Sequence, residues 1–280
     1  MSYEVYAGIL KMLDEFQDGD LDIRIVYRKS AELSRLDEKY GITDIAKGDG
    51  DFAKAVALLE WISSHVRHKG NYDNHIARNA EALLDYAYDK GDECGINCVS
   101  LSIALTECLL LVGLRARSLY LMPFSPYDGD NHVVCEVWIS EWNKWVMLDP
   151  TYSGYVKDSD GQVLSVIELR NTLANRASIT FSDGFSYNGN KKIDFEDTKT
   201  YYAKDLFYFM CTEAQGYNAD QFDAKRITFA PVGYDVRKSM LANIAYRIEK
   251  QGDADWLRTW RSKVEGMSII YKSLDVLYSE

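Results

Sequence analysis

Few side chains in this 280-residue sequence could form a nucleophile and base pair: five cysteines (Cys94, Cys98, Cys108, Cys135, Cys211) and four histidines (His65, His68, His75, His132). A thiol attacks a carbonyl as its thiolate, and an ordinary cysteine, with a pKa of about 8.5, is mostly protonated near neutrality. A working cysteine therefore needs a setting that favours the charge. Cys98 follows the short polar connection Asp92-Glu93-Cys94-Gly95-Ile96-Asn97 and opens a run that is apolar on nearly every side. With Asn97 as N-cap, Cys98 falls in the first turn of a helix, where free backbone N–H groups and the positive end of the helix dipole stabilise an anion. None of the other four cysteines has a comparable position. Asp92 and Glu93 oppose the thiolate, so the helix terminus alone does not suffice and a base is needed.

His132 fits that role by position. It opens His132-Val133-Val134-Cys135-Glu136-Val137-Trp138-Ile139, which reads as a strand joined by a short turn to a second strand, Trp145-Val146-Met147-Leu148-Asp149. His65 and His68 are placed on a polar helix face, and His75 at the start of another helix. If Trp138 faces Trp145 across the hairpin, His132 and Asp149 share a face as diagonal neighbours, roughly 7–8 Å apart at Cα. A carboxylate on one imidazole nitrogen fixes the tautomer and leaves the other nitrogen for the thiol. The oxyanion formed on acyl attack needs donors. The backbone N–H of Cys98 is the expected first donor, and the side chain of Asn97 is the candidate for the second.

The elements that must carry these residues follow from periodicity. Val5, Ile9, Met12, Leu13 and Phe16 recur at three- and four-residue steps, predicting an amphipathic helix from Ser2 to Phe16, stopped by Gln17-Asp18-Gly19-Asp20. Further helices are predicted over 52–67 and 74–88, the latter ending near Lys90-Gly91. The helix from Cys98 to Gly113 has apolar residues all round, so it is expected to be buried and central. Arg117 to Leu121 reads as a strand, and Met122 to Asn131 as a loop. Beyond Pro150 the pattern predicts helices over 166–177, 198–211, 234–250, 253–264 and 269–277. This gives an α+β chain with an N-terminal helical extension (1–51), a core (52–160) and a mainly helical C-terminal region (161–280) packed on the core.

Composition excludes some function classes. The chain has 43 acidic and 32 basic residues, a net charge of -11 and no basic run, which disfavours nucleic acid and anionic membrane surfaces as partners. The stretch from Ser102 to Leu114 is interrupted by Thr106, Glu107 and Gly113 and is too short to span a bilayer. No basic region followed by an apolar run opens the sequence, so cytoplasmic residence is the expectation. An odd number of scattered cysteines does not read as a disulfide framework, and at least one thiol should be free.

The residues from Cys94 to Thr151 resemble the transglutaminase-like superfamily, which shares the papain-like cysteine protease fold. The resemblance rests on Cys98 at the start of a buried helix, Gly113-Leu114-Arg115-Ala116-Arg117 after it, the His-x-x-x-Glu-Val pattern of His132 to Val137, and Trp145 ahead of Asp149-Pro150-Thr151. It implies a papain-like core in which a central cysteine-bearing helix packs on a small antiparallel sheet. It also implies acyl transfer through a Cys98 thioester, assisted by His132 and Asp149, on amide bonds of a peptide or protein, with no metal or organic cofactor. Hydrolysis is the preferred outcome, with amine transfer to protein glutamine and non-catalytic peptide binding as alternatives. Val133-Val134 stand where members of the family often carry an aromatic residue after the histidine.

Blander readings compete. A free cysteine is commonly buried and inert, and an aspartate before proline is commonly a turn residue. Cys94 and Cys98, spaced C-x-x-x-C without a second ligand cluster, make a poor zinc site; a reversible disulfide between them that masks the nucleophile is the competing reading. Trp138, Trp142 and Trp145 are assigned to packing. Glu136 is assigned to a structural pairing with Arg117.

Overall fold

The computed structural model describes residues 2–19 and 23–278. In chain order the elements are α1 (Tyr3–Met12), β1 (Val26–Tyr27), α2 (Leu33–Tyr40), α3 (Ile42–Ile45), α4 (Asp51–His65), α5 (Ala80–Ala87), α6 (Cys98–Leu111), β2 (Ala116–Met122), β3 (His132–Ile139), β4 (Lys144–Leu148), β5 (Val156–Asp158), α7 (Val166–Ala174), β6 (Ile179–Phe181), α8 (Phe195–Asp205), β7 (Tyr208–Thr212), β8 (Ala214–Gln215), β9 (Arg226–Phe229), α9 (Val236–Gln251), α10 (Asp255–Gly266), β10 (Ile270–Tyr271) and α11 (Leu274–Tyr278). Asp20, the last residue of the predicted stop after the first helix, lies outside the described residues.

The centre of the fold is α6 laid on a six-stranded sheet of order β10-β9-β7-β2-β3-β4. Val99 to Leu110 are buried throughout, which explains why no polar stripe shows in this helix. Two of the hydroxyls that α6 carries bond to the sheet: Ser102 Oγ donates to the Val133 carbonyl at 2.9 Å, and Thr106 Oγ1 lies 3.0 Å from Ser118 Oγ. These bonds set the first turns of α6 beside the beginning of β3. The hairpin register is the expected one, with Trp138 opposite Trp145. Their rings meet edge to face at 5.7 Å, and Arg117 Cζ lies 3.8 Å from the Trp145 ring centroid.

The C-terminal region enters the same sheet, an arrangement the helical reading of residues 198–211 does not anticipate. The helix α8 stops at Asp205, and the apolar run Leu206-Phe207-Tyr208-Phe209-Met210-Cys211 continues as β7, buried along its length. A short apolar run cannot be assigned to helix or strand by periodicity alone, and here the free edge of β2 decides it. Residues 226–229 and 270–271, the latter predicted helical, also extend the sheet, with β10 parallel to β9.

Other boundaries shift for local reasons. The helix predicted from residue 74 begins only at Ala80, because Asn74 sits at φ 58° and Asn79 caps α5 by accepting from Ala82 N at 2.9 Å. His75 therefore precedes the helix. The first helix ends at Met12, after which Gln17 N donates to the Ala230 carbonyl at 2.9 Å and Phe16 stacks on Phe209 at 5.9 Å. Among the described residues no helix is long and apolar enough to cross a membrane.

Candidate active site

Each predicted site residue stands at the end of an element. Asn97 caps α6, its side-chain oxygen accepting from Ser100 N at 3.1 Å, so Cys98 is the first helical residue, as the polar connection ahead of it predicts. His132 is the first residue of β3 and Asp149 the first residue past β4. The Ser102–Val133 bond ties the second turn of the helix to the residue after His132, which brings the three together. Cys98 is half-buried, whereas His132 and Asp149 are 1% and 0% exposed. Cys98 thus keeps partial solvent access beside a buried imidazole and carboxylate.

His132 Nε2 lies 2.6 Å from Asp149 Oδ2, which leaves Nδ1 for the Cys98 thiol. The two oxygens of Asp149 have separate tasks. Oδ1 accepts from the backbone N–H groups of Thr151 at 2.9 Å and Tyr152 at 3.3 Å, closing a turn over Pro150, while Oδ2 accepts from the Tyr202 hydroxyl at 2.6 Å and faces His132. Asp149 therefore serves a turn through one oxygen and faces the imidazole with the other.

Electrostatics reinforce the pair. Burial disfavours charge on both members, but Asp149 and the neighbouring Cys98 hold the His132 imidazole well above its ordinary pKa. Burial likewise pushes the Asp149 carboxyl up, and His132, the Tyr202 hydroxyl and the Thr151 N–H outweigh it, so the carboxyl lies below the usual range. The cost of burying either charge alone is met by the other.

Several residues around the site carry no sequence signal. Tyr202 belongs to α8, 53 positions beyond Asp149, and only the packing of that helix brings its hydroxyl to Oδ2. The rings of Tyr201 and Tyr152 stand edge-on to His132 at 5.4 and 6.1 Å. The loop leading into His132 is fastened from elsewhere: Lys204 pairs with Asp130 at 3.3 Å, and Asn243 Nδ2 donates to the Pro126 carbonyl at 2.7 Å. His68 is not on a helix face. It lies beyond the end of α4, its backbone bridged to Ile96 and its Nδ1 2.9 Å from the Tyr187 hydroxyl. A tyrosine-rich sequence offers no way to single out such partners before the helices are packed.

Asn97 is engaged on both sides, its oxygen as the helix cap and its Nδ2 donating to Asn74 Oδ1 at 3.1 Å. All five cysteines are free thiols. Arg117 and Glu136 form a fully buried pair, Nε to Oε2 at 3.0 Å and Nη2 to Oε2 at 2.6 Å. Glu136 Oε1 accepts from Val166 N at 2.8 Å, so this pair joins the sheet to α7.

Residues 41–150 match the model of the transglutaminase-like superfamily, so that segment is similar to the core of that superfamily. Cys98, His132 and Asp149 all fall within the matched segment. A solved structure from Cytophaga hutchinsonii, named as a candidate cysteine protease, is similar at 16% identity and a TM-score of 0.33. The similarity covers 54% of this chain and 49% of that one, so the chain spans about half the length of that structure. No curated protein matches the chain.

Proposed function

We propose that the protein is a cysteine acyl-transfer enzyme in which Cys98 is the nucleophile, His132 the base and Asp149 the residue that orients His132, with hydrolysis of an amide in a peptide or protein as the net reaction. The 2.6 Å contact of His132 Nε2 with Asp149 Oδ2, with the Cys98 thiol against the same ring, carries this reading. His132 takes the thiol proton, and the sulfur adds to the amide carbonyl carbon. Collapse of the tetrahedral adduct breaks the C–N bond, with the His132 proton passing to the leaving amine. Water, activated by the same imidazole, then cleaves the Cys98 thioester. Cys98 is only partly buried, and water, far more abundant than any amine, competes in an open acyl-transfer site, which supports hydrolysis over amine transfer. No step calls for a metal or organic cofactor, and the proposed setting is cytoplasmic, with a core near 52–160 carrying the chemistry.

The test is intact-mass analysis after exposure to iodoacetamide and then to a panel of peptides and amides. Cys98 should be alkylated faster than free cysteine at pH 7 and should accumulate an acyl adduct with at least one substrate. Alkylation no faster than free cysteine would replace the enzyme by a peptide-binding protein without chemistry. A labelled amine appearing in a glutamine peptide would replace hydrolysis by amine transfer.

A further inference from the structure

We infer that His68 is the second donor to the oxyanion, giving a hydrogen bond from Nε2 to the carbonyl oxygen as Cys98 attacks; this rests on the acyl-transfer reading above. Two backbone bonds fix its position, Lys69 N to the Ile96 carbonyl at 2.9 Å and Ile96 N to the Arg67 carbonyl at 3.0 Å. Adjacent extended segments lie about 4.8 Å apart and two residues of chain reach at most about 7 Å. The His68 backbone is thus held alongside the segment that delivers Cys98 to the helix start, where the first donor, the Cys98 N–H, is located. On the other side, an aromatic chain links His68 to the base: His68 to Tyr187 at 5.4 Å, Tyr187 to Tyr152 at 5.9 Å, and Tyr152 to His132 at 6.1 Å.

The ring chemistry suits the role. Among the described residues the Tyr187 hydroxyl has no hydrogen-bond partner except His68 Nδ1; with the hydroxyl donating, the ring hydrogen sits on Nε2, the tautomer this role requires. Nε2 itself has no partner among the described residues. Burial, helped by the neighbouring His132, pushes the His68 pKa down to about 4, so the ring is neutral near pH 7 and donates without adding a second cation beside His132. A neutral imidazole is an effective electrophile toward a developing oxyanion. No proton leaves His68. The new S–C bond sends the carbonyl pair to oxygen, the Nε2–H and Cys98 N–H hold it there, and the pair returns as the leaving group departs. Asn97, whose oxygen and one amide hydrogen are already engaged, is less well placed for this task.

Two probes separate oxyanion binding from thiol reactivity. p-Nitrophenyl acetate acylates Cys98 through an oxyanion, forming the thioester and releasing p-nitrophenolate, whereas iodoacetamide alkylates the sulfur by direct displacement of iodide with no oxyanion. In His68→Ala the ratio of acylation to alkylation rate should fall about 100-fold, the loss typical of one oxyanion donor. His68→Gln, which restores a neutral N–H donor, should recover at least tenfold of it. An unchanged ratio in His68→Ala, or both rates falling together in both variants, would overturn the assignment and leave His68 as an anchor for the Tyr187 loop. Wild-type Cys98 alkylating no faster than free cysteine is a separate failure, that of the acyl-transfer reading, and the assignment would fall with it.

Discussion

The Tyr202 hydroxyl and the His132 imidazole converge on one oxygen of Asp149, each at 2.6 Å from Oδ2. Tyr202 lies on α8 and His132 on β3, so the C-terminal region helps to fix the carboxylate that in turn holds the imidazole. This relation explains how a segment with no recognisable motif can govern the proposed chemistry of the matched core.

Tyr202→Phe removes one donor from a buried carboxylate without changing the ring. Hydrogen bonds to charged groups contribute about 1.5–3 kcal/mol, and a loss of that size is expected in urea unfolding at pH 6. The Asp149 carboxyl is held below its ordinary pKa, so the stability it provides is present above the unfolded value of about 3.9 and lost as pH falls through the folded value. The gap between wild type and Tyr202→Phe should therefore narrow below about pH 4. A gap that widens on acidification would mean that the hydroxyl does not serve the ionised carboxylate.

Asp149→Asn presents an amide to Nε2 and can stabilise the wrong imidazole tautomer. In serine proteases the equivalent change costs about 10⁴ in turnover while geometry is retained. We expect a loss of 10²–10⁴ in Cys98 acylation by p-nitrophenyl acetate, with the far-ultraviolet spectrum unchanged. Acylation within threefold of wild type would remove Asp149 from the proposed machinery.

The His132–Asp149 pair also sets a pH dependence of stability. His132 has a raised pKa, so its contribution is complete below the unfolded value of about 6.5 and is lost as pH rises through the folded value; that of Asp149 is present above about 3.9. The stability difference between wild type and His132→Gln should thus be largest between about pH 4 and 6.5 and shrink at alkaline pH. Urea midpoints across pH 5–10 read this directly, and a difference that grows with pH contradicts the raised imidazole.

Arg117→Met leaves Glu136 buried without its cation. Breaking one side of a buried ion pair costs about 3–5 kcal/mol, and the variant should unfold at correspondingly lower urea. Cys98 makes no bond to this pair, so its alkylation rate below the transition should stay near wild type. A stability loss under 1 kcal/mol would show that Trp145 and the remaining donors to Glu136 hold the sheet without Arg117.

The sequence by itself determined what depends on neighbours along the chain. Asn97 before an all-apolar run settles where α6 starts, because a capping side chain acts within three residues. The paired tryptophans settle the hairpin register, because side chains alternate across a strand and a slip of one residue would turn His132 away from Asp149. The Arg117–Glu136 pairing was legible for the same reason, since the two residues sit opposite each other on adjacent strands. Tertiary structure decided the rest. Only packing shows that residues 208–212 complete a sheet instead of a helix, that Tyr202 reaches Asp149, and that His68 leaves its predicted helix for the side of Ile96. Such contacts join segments tens of residues apart, and their partners, tyrosines among 20 and one histidine among four, look like any others until the apolar faces that carry them have been buried.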